Sequence, residues 1–211
     1  MANKGSPFER EVSVLLSLWW SGGERDDIYW RRDSGARAKT RGRAGKATFG
    51  AHGDICAVDP IGLPLTNCCT LELKRGYKQW SFLDILDRPR MKANQKKPTY
   101  QKFELFMHQA QEDADLAGTW PVIVAKRDKR CKIIVIPESM YTELVEYYDS
   151  YDKFKIRITS NHSINEPMYA LDFEHFLEWC SPEFFIIKSQ GHNSGKGKSD
   201  DKTKKRFRNS K

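Results

Sequence analysis

Three charged side chains within residues 53–76 are of types that can carry out hydrolytic chemistry. Asp54 opens one short apolar segment, and Glu72 and Lys74 close the next. Side chains alternate between the two faces of a strand, so Glu72 and Lys74 share one face, about 7 Å apart along the chain. If the two segments pair as a hairpin, Asp54 lies beside both of them at one end of a sheet.

Two carboxylates that converge in this way suit a hard divalent cation such as Mg²⁺. A bound cation lowers the pKa of a water molecule and neutralises charge on a phosphodiester, and a neighbouring lysine can orient or deprotonate that water. The alternative is an ordinary surface ion pair between Glu72 and a nearby lysine, which would contribute little to stability. The pattern is short, so the rest of the sequence must decide between a metal site and a surface ion pair.

Positive charge is concentrated in two segments of the chain. Residues 31–46 contain seven Lys or Arg and one Asp, and residues 191–211 contain eight Lys or Arg and two Asp. The net charge of the whole chain is +8, so the remainder is slightly acidic. This distribution predicts a polyanionic partner, most simply nucleic acid; the alternative is that the charges only maintain solubility.

Length and hydropathy favour one globular body without a membrane partner. A chain of 211 residues with 39% hydrophobic residues can bury a full core. No apolar run approaches the roughly 18 residues that a membrane span needs, and the N-terminus lacks the apolar core of a signal peptide. These features predict a cytoplasmic protein, in which the five cysteines are free and mostly buried.

The order of predicted elements is typical of a mixed α/β sheet with a helix on each side. Hydrophobic periodicity and turn residues mark the boundaries of these elements. The predicted helices cover residues 6–21, 82–86, 99–117, 138–149 and 172–179, and the predicted strands cover 28–32, 54–58, 68–74, 121–126, 131–136 and 154–158. Between them, residues 33–52 form a long basic loop and residues 59–67 a turn-rich connection.

The motifs Gly53-Asp54-Ile55 and Leu71-Glu72-Leu73-Lys74 resemble the signature of the PD-(D/E)xK nuclease superfamily. Three further segments resemble archaeal-type Holliday junction resolvases within it. They are GSPFERE at residues 5–11, RRDSGA at 31–36 and PVIVAK at 121–126. With the first two motifs taken together as one piece, the four pieces occur in the order of that family and span residues 5–136.

This resemblance implies an α/β, restriction-endonuclease-like fold, in which a mixed central sheet is flanked by helices. It places a nuclease core at residues 1–136 and a small C-terminal α/β extension, packed on the core, at 137–190. Residues 191–211 are then a disordered basic tail. The extension has no counterpart in the small resolvases, and residues 33–53 are longer and more basic than the resolvase core requires.

The resemblance also implies a role for each site residue. Asp54 and Glu72 would bind Mg²⁺, for which Mn²⁺ could substitute, with help from the main-chain carbonyl of Leu73. Lys74 would position the nucleophilic water, and Glu9 on the first helix would complete the acidic cluster. The alternative for Glu9 is a capping box at the start of that helix. Gln101, at the start of the second long helix, lies where related nucleases place a polar active-site residue.

Contacts with DNA are expected to be made to its backbone. The basic loop lacks the helix or interleaved aromatic residues that read bases, and backbone contacts give an affinity that falls steeply with salt. The predicted DNA-binding residues are Arg10, Arg31, Arg32, Ser34, Arg37, Lys39, Arg41, Arg43 and Lys126.

Together these features predict a Mg²⁺-dependent, structure-selective DNA endonuclease, most specifically a resolvase that makes paired nicks in four-way junctions. A homodimer is expected, because two symmetric nicks require two active sites. Another PD-(D/E)xK endonuclease of nicking or restriction type is the first alternative, and a non-catalytic DNA-binding protein is the second. The nucleoid and the cytoplasm of a phage-infected host are both compatible locations.

Overall fold

The computed structural model describes residues 5–32, 52–76, 80–87, 89–94, 99–159 and 165–196. Five strands form the central sheet in the order β3-β4-β5-β7-β6. They are β3 (Cys69–Arg75), β4 (Trp120–Lys126), β5 (Lys132–Pro137), β6 (Lys155–Ile158) and β7 (Met168–Asp172). Only β3 and β4 are parallel to each other, and the other neighbours are antiparallel. The sheet is therefore mixed, as predicted.

Two further strands, β1 (Tyr29–Arg31) and β2 (Ile55–Ala57), pair with each other in an antiparallel ribbon outside this sheet. The predicted hairpin between residues 54–58 and 68–74 is therefore wrong. The connection between these segments is not a turn, because it forms a 3-10 helix (Pro60–Gly62) followed by helix α2 (Leu63–Cys68). Asp59 caps the 3-10 helix by accepting a hydrogen bond from the main-chain N–H of Ile61.

Helices cover both faces of the sheet. The long helix α4 (Lys102–Ala117) ends where Gly118 adopts a left-handed conformation, as the glycine in the sequence indicated. No helix in the described ranges is both long enough and apolar enough to cross a bilayer. Besides α2, the helices are α1 (Gly5–Trp20), α3 (Leu83–Leu86), α4 (Lys102–Ala117), α5 (Glu138–Tyr148), α6 (Phe173–Trp179) and α7 (Pro182–Lys196).

The core is divided by the sheet into two layers, and β3 contributes a different set of side chains to each. Leu71 and Leu73 are buried in the layer that contains α1, α5 and α6. Glu72 and Lys74 point to the opposite layer, where α4 packs Phe106 and other apolar side chains against the sheet. The alternation predicted for this strand is therefore present, and it separates the charged pair from the larger apolar core.

The C-terminal region contributes to the same sheet as the N-terminal region. β6 and β7 lie within residues 137–190, and β7 pairs directly with β5. The predicted elements did not include β7 or α7. Helix α7 extends to Lys196, past the point at which the basic tail was predicted to begin, and residues 197–211 lie outside the described residues. The division at residue 136 remains a prediction.

Candidate active site

Asp54 reaches β3 through a close contact between two backbones. Its main-chain N–H donates to the carbonyl of Leu71 at 2.7 Å, and its Oδ2 accepts from the N–H of Leu73 at 2.7 Å. Gly53 makes this approach feasible, because a Cβ at that position would lie 2.5 Å from the Leu71 carbonyl oxygen. Its φ of +77° is also a conformation that favours glycine. Asp54 is therefore fixed against the free edge of β3.

Glu72 and Lys74 form a buried pair that a third side chain holds in place. Glu72 is 3% exposed and Lys74 is 6% exposed. Lys74 Nζ donates to Glu72 Oε1 at 2.5 Å and to Gln109 Oε1 at 2.8 Å, and Gln109 Nε2 donates to Glu72 Oε1 at 2.7 Å. Gln109 lies on α4 and is itself exposed. It therefore closes a hydrogen-bonded triangle over the charged pair.

Burial and like charge raise the pKa values of the two carboxylates. Burial raises the pKa of Glu72 to about 6, with the negative charge of Asp54 adding to the rise and Lys74 opposing it. Burial also raises the pKa of Asp54, against the opposing effects of the Leu73 N–H and of Lys74. The negative charge of Asp113, one helical turn after Gln109, raises both values further. Such a cluster is suited to receive positive charge.

Glu9 lies within electrostatic range of this cluster. Burial is the first cause that raises the pKa of Glu9, the charge of Asp54 is the second, and Arg31 opposes them. The capping-box alternative places the start of the helix at Ser6, whereas α1 begins at Gly5 and includes Ser6. Glu9 therefore lies two residues deeper in α1 than a capping box would place it.

The donor set fits a hard divalent cation that retains water ligands. Within the described ranges, no group of three or more His, Cys, Asp and Glu side chains is close enough to form a metal centre by itself. Mg²⁺ commonly binds through only one or two carboxylates, which Asp54 and Glu72 can supply. The N–H and C=O of a strand residue point to the same edge, so the Leu73 carbonyl also faces Asp54. The metal role of Glu9 remains a prediction.

Sequence reasoning did not identify Gln109 or Asp113. It placed the polar residue of the second long helix at Gln101, which instead forms a capping box with Glu104 at the start of α4. Gln109 lies two helical turns further along, where α4 crosses β3. The spacing of Gln109 and Asp113 on one helical face was visible in the sequence, but nothing local indicated that this face meets β3.

A second charged cluster lies on the other face of the same sheet end. Glu11 Oε1 accepts from Lys126 Nζ and from Lys132 Nζ, each at 3.0 Å, and Arg75 lies 3.7 Å from Glu11 Oε2. Burial would raise the pKa of Glu11, but the hydrogen bonds from the two lysines lower it overall. Lys132 also pairs with Glu174 at 2.7 Å. Lys126, predicted to bind DNA, is therefore partly neutralised here.

The remaining predicted DNA-binding residues divide into two groups. Arg10 and Arg32 are exposed, and Arg32 follows the ribbon strand β1 and opposes the rise in the pKa of Asp54. Arg31 is half-exposed beside Glu9. The other five lie outside the described residues: Ser34, Arg37, Lys39, Arg41 and Arg43.

A mixed sheet with Asp54 docked on the edge of the strand that carries Glu72 and Lys74 defines the protein as a PD-(D/E)xK nuclease. A family model described as "Phage putative PDDEXK endonuclease" matches residues 1–186, and the chain belongs to that family. No curated protein and no solved structure matches the chain. The finer resemblance to archaeal-type junction resolvases therefore remains a prediction.

Proposed function

We propose that this protein is a divalent-metal-dependent DNA endonuclease that acts on branched DNA, with the four-way junction as its preferred substrate. The observation that carries the proposal is the docking of Asp54 on β3, which brings it to Glu72 and Lys74. Family membership supports the endonuclease activity. The metal, the branched substrate and a homodimeric assembly are parts of the proposal.

In this proposal Asp54, Glu72 and the Leu73 carbonyl hold Mg²⁺, or Mn²⁺ in its place. The bound cation would supply Lewis acidity and lower the pKa of a water molecule. Lys74 contributes its own proton donors. An ammonium has three N–H groups, and Glu72 and Gln109 accept two of them, which leaves one for the attacking water or a phosphate oxygen.

Gln109 and Glu72 maintain Lys74 in a fixed direction. The Gln109 amide accepts from Lys74 and donates to Glu72, so a rotation of either partner breaks a hydrogen bond to it. Positioning of this kind reduces the entropy that must be lost when the reacting groups meet. Lys74 therefore acts as a pre-oriented donor, and Gln109 is a positioning residue.

Selectivity for branched DNA is supported by the order of the four resolvase-like motifs and by the charge of the chain. Arg31 and Arg32 lie beside the acidic cluster, and the basic segment from residue 31 to 46 begins at these two residues. The sequence predicts no base-reading helix in this segment, so its basic residues favour recognition of the shape of the DNA backbone. A four-way junction presents several backbones at one point. In this proposal the protein acts on such DNA in the cytoplasm.

Cleavage of three labelled DNAs tests the proposal. A four-way junction, a linear duplex and a flap are incubated with Mg²⁺, with Mn²⁺ or with chelator. We expect metal-dependent paired nicks in the junction and little cleavage of the duplex. Lys74→Gln should reduce the cleavage rate at least about 100-fold, as expected for loss of a group that assists proton transfer. Lys188→Gln, at a lysine that pairs with Glu143 at the opposite end of the sheet, is the control and should cleave normally.

The outcomes separate the alternatives. Cleavage of plain duplex at a rate equal to that of the junction would support a nicking or restriction-type enzyme and contradict branch selectivity. Binding of DNA without cleavage in either metal, with no effect of Lys74→Gln, would contradict every nuclease assignment and support a non-catalytic DNA-binding protein.

A further inference from the structure

A cleft of about 270 Å³ opens on the α4 face of the sheet, close to Lys74. Its floor contains Ala125 on β4 and Ile133 on β5. Ala125 is the register partner of Lys74, and Ile133 is the register partner of Ala125. Neighbouring strands lie about 4.8 Å apart, so the floor is roughly 5 to 10 Å from Lys74 across the sheet. A nucleotide bound at the proposed active site could therefore place a base in this cleft.

The walls of the cleft combine aromatic rings with guanidinium groups. Trp80 and Phe82 line the cleft together with Arg127 and Arg130 from the β4–β5 turn. The guanidinium of Arg127 lies 5.4 Å from the centroid of the Trp80 ring and donates to the Trp80 carbonyl at 3.4 Å. Rings and guanidinium planes are the groups on which unpaired bases stack.

Trp80, which lines the cleft, also carries an unpaired polar group. The indole Nε1 of Trp80 is buried and has no hydrogen-bond partner in the described part of the chain. A buried donor without an acceptor is unfavourable. The carbonyl and ring-nitrogen acceptors of a nucleobase are of the type that satisfies such a donor.

We propose that this cleft, the base cleft, holds one unpaired base of the DNA substrate beside the phosphate that is cut. The inference rests on the proposed nuclease function and deepens it, because it names the substrate feature that is selected. A base within a regular duplex must be unstacked before it can enter, whereas a bulged or branch-point base enters at lower cost.

Size and charge favour a base over other occupants. The volume lies just below the roughly 300 Å³ at which pockets for drug-sized ligands begin. Arg127 and Arg130 are both exposed at the rim, where they can also contact the flanking phosphates. An apolar segment of a protein partner would gain nothing from these two charges.

Fluorescence of a base analogue tests the proposal without cleavage. The probe is a duplex with a single bulged 2-aminopurine, compared with the same duplex without the bulge, in chelator. We expect saturating protein to quench the bulged probe at least about twofold and to bind it at least about fivefold more tightly than the perfect duplex. The same measurement on a four-way junction with the analogue at the branch point should also give quenching.

Surface substitutions connect the effect to the cleft. Trp80 is buried against Phe103 and Phe106, so its replacement could unfold the protein. Phe82→Leu, a milder change at a half-buried ring, and Arg127→Gln are used instead. Both variants should lose the preference for the bulge, and Phe82→Leu, which removes no charge, should keep its affinity for perfect duplex within about twofold. Lys188→Gln is the matched control, because Lys188 lies over the Trp120 ring at 5.0 Å, at the opposite end of the sheet.

Cys131 provides an independent readout, because it lies at the cleft and is exposed. The other four cysteines are buried. A bulged base with a tether that ends in a mixed disulfide should exchange with the Cys131 thiolate, which releases the small thiol, whereas the same tether on a paired base should not. Cys131→Ser should abolish the cross-link.

Three results would each contradict base binding in the cleft. They are equal affinity for bulged and perfect duplex, unchanged fluorescence of the probe, and cross-linking to bulged and paired bases alike. An intact preference for the bulge in both Phe82→Leu and Arg127→Gln would also contradict the proposal. These readouts need no catalysis, so they remain interpretable if no DNA is cut. Conversely, a protein that cleaves DNA but shows no preference for the bulge would support the nuclease function and contradict only the base-binding role of the cleft.

Discussion

At the scale of single residues, the candidate site depends on contacts between residues that are far apart in the sequence. Asp54 is held by the backbone of β3, and the pair of Glu72 and Lys74 is held by Gln109. Each of these supports can be removed without deleting a proposed catalytic group. The positioning of the site can therefore be tested separately from its chemistry.

Gly53→Ala should displace Asp54. The new Cβ would lie 2.5 Å from the Leu71 carbonyl oxygen, so the backbone that carries Asp54 must move away from β3. A displacement of about 1 Å can lower a catalytic rate 100-fold, and we expect a loss of at least that size in kcat. Cleavage kinetics under metal saturation measure it.

Gly22→Ala is the control for this substitution. Gly22 also has a positive φ, +66°, but no atom lies within 4 Å of the position that a Cβ would take there. It should lose about 1 kcal/mol of stability from backbone strain and retain full activity. Equal activity in the two alanine variants would contradict the proposed role of Gly53.

Gln109→Ala should impair catalysis and leave the fold intact. The substitution removes one hydrogen-bond partner from Glu72 and one from Lys74, while the side chain it deletes is exposed. Loss of a supporting hydrogen bond around a metal site typically costs about 10- to 100-fold in activity or metal affinity. We expect such a loss in kcat, with a higher metal concentration at half-maximal rate and an almost unchanged melting temperature.

Gln111→Ala provides the comparison on the same helix. Gln111 donates to Asp115 at 2.8 Å and does not contact the site. Its variant should match the parent protein in both kcat and metal dependence. A purely structural role for Gln109 would instead lower the melting temperature and leave the metal dependence unchanged.

At the scale of elements, the end of the sheet near Lys74 presents two rows of side chains with different properties. Lys74, Ala125 and Ile133 are register partners on the α4 face. Arg75, Lys126 and Lys132 are register partners one position further along, on the face of α1. A one-residue step along each strand therefore separates the candidate active site and base cleft from a row of cations paired with Glu11.

The sequence predicted the strands of the site better than their pairing. Alternation alone placed Glu72 and Lys74 on one face, because this property belongs to a single strand. The hairpin was wrong because residues 60–68 prefer helical structure, and Asp54 reaches β3 through one glycine instead. The prediction that Asp54 lies near Glu72 was therefore correct, although the strand pairing from which it was made was wrong.

Elements that depend on tertiary contacts were the ones missed. β7 is a short segment whose strand structure comes from pairing with β5 on one side and β6 on the other. α7 begins with Pro182 and is anchored by the buried Phe184 and Phe185, within a sequence of low overall apolar content. Neither segment shows a strong strand or helix pattern in its own sequence, because the residues against which it packs lie elsewhere in the chain.

Glu11→Gln should weaken the fold and strengthen DNA binding. The glutamate is a shared partner of Lys126 and Lys132, and it remains partly exposed, so we expect a loss of about 1 kcal/mol at pH 7. The pKa of Glu11 is lowered in the folded state, so this contribution is present above the unfolded value and is lost as the pH falls through the folded one. Denaturation at pH 7 and at pH 3 measures the difference.

The same substitution frees positive charge at the edge of the site. The plot of log affinity against log salt should become steeper by about one unit, if one further phosphate is neutralised. Glu24→Gln removes an exposed glutamate elsewhere and serves as the comparison. An unchanged salt dependence in Glu11→Gln would indicate that the row of cations does not contact DNA.

At the scale of the whole molecule, an apolar groove of about 400 Å³ lies beside the base cleft and shares Phe82 and Ile133 with it. Its remaining lining includes Phe154, which is 84% exposed. The groove also carries Lys153 and Asp172, opposite charges that a copy related by a two-fold axis could pair. These features fit the interface that the proposed homodimer requires.

Phe154→Ser should therefore convert the dimer to a monomer, as measured by sedimentation velocity. Each monomer retains an active site, so a plasmid with an extruded four-way junction should change from linear to nicked product. Leu116→Ser is the control, because Leu116 is 80% exposed on α4 and lies outside the groove. A monomeric parent protein, or a Phe154→Ser variant that stays dimeric and still linearises the plasmid, would contradict this interface.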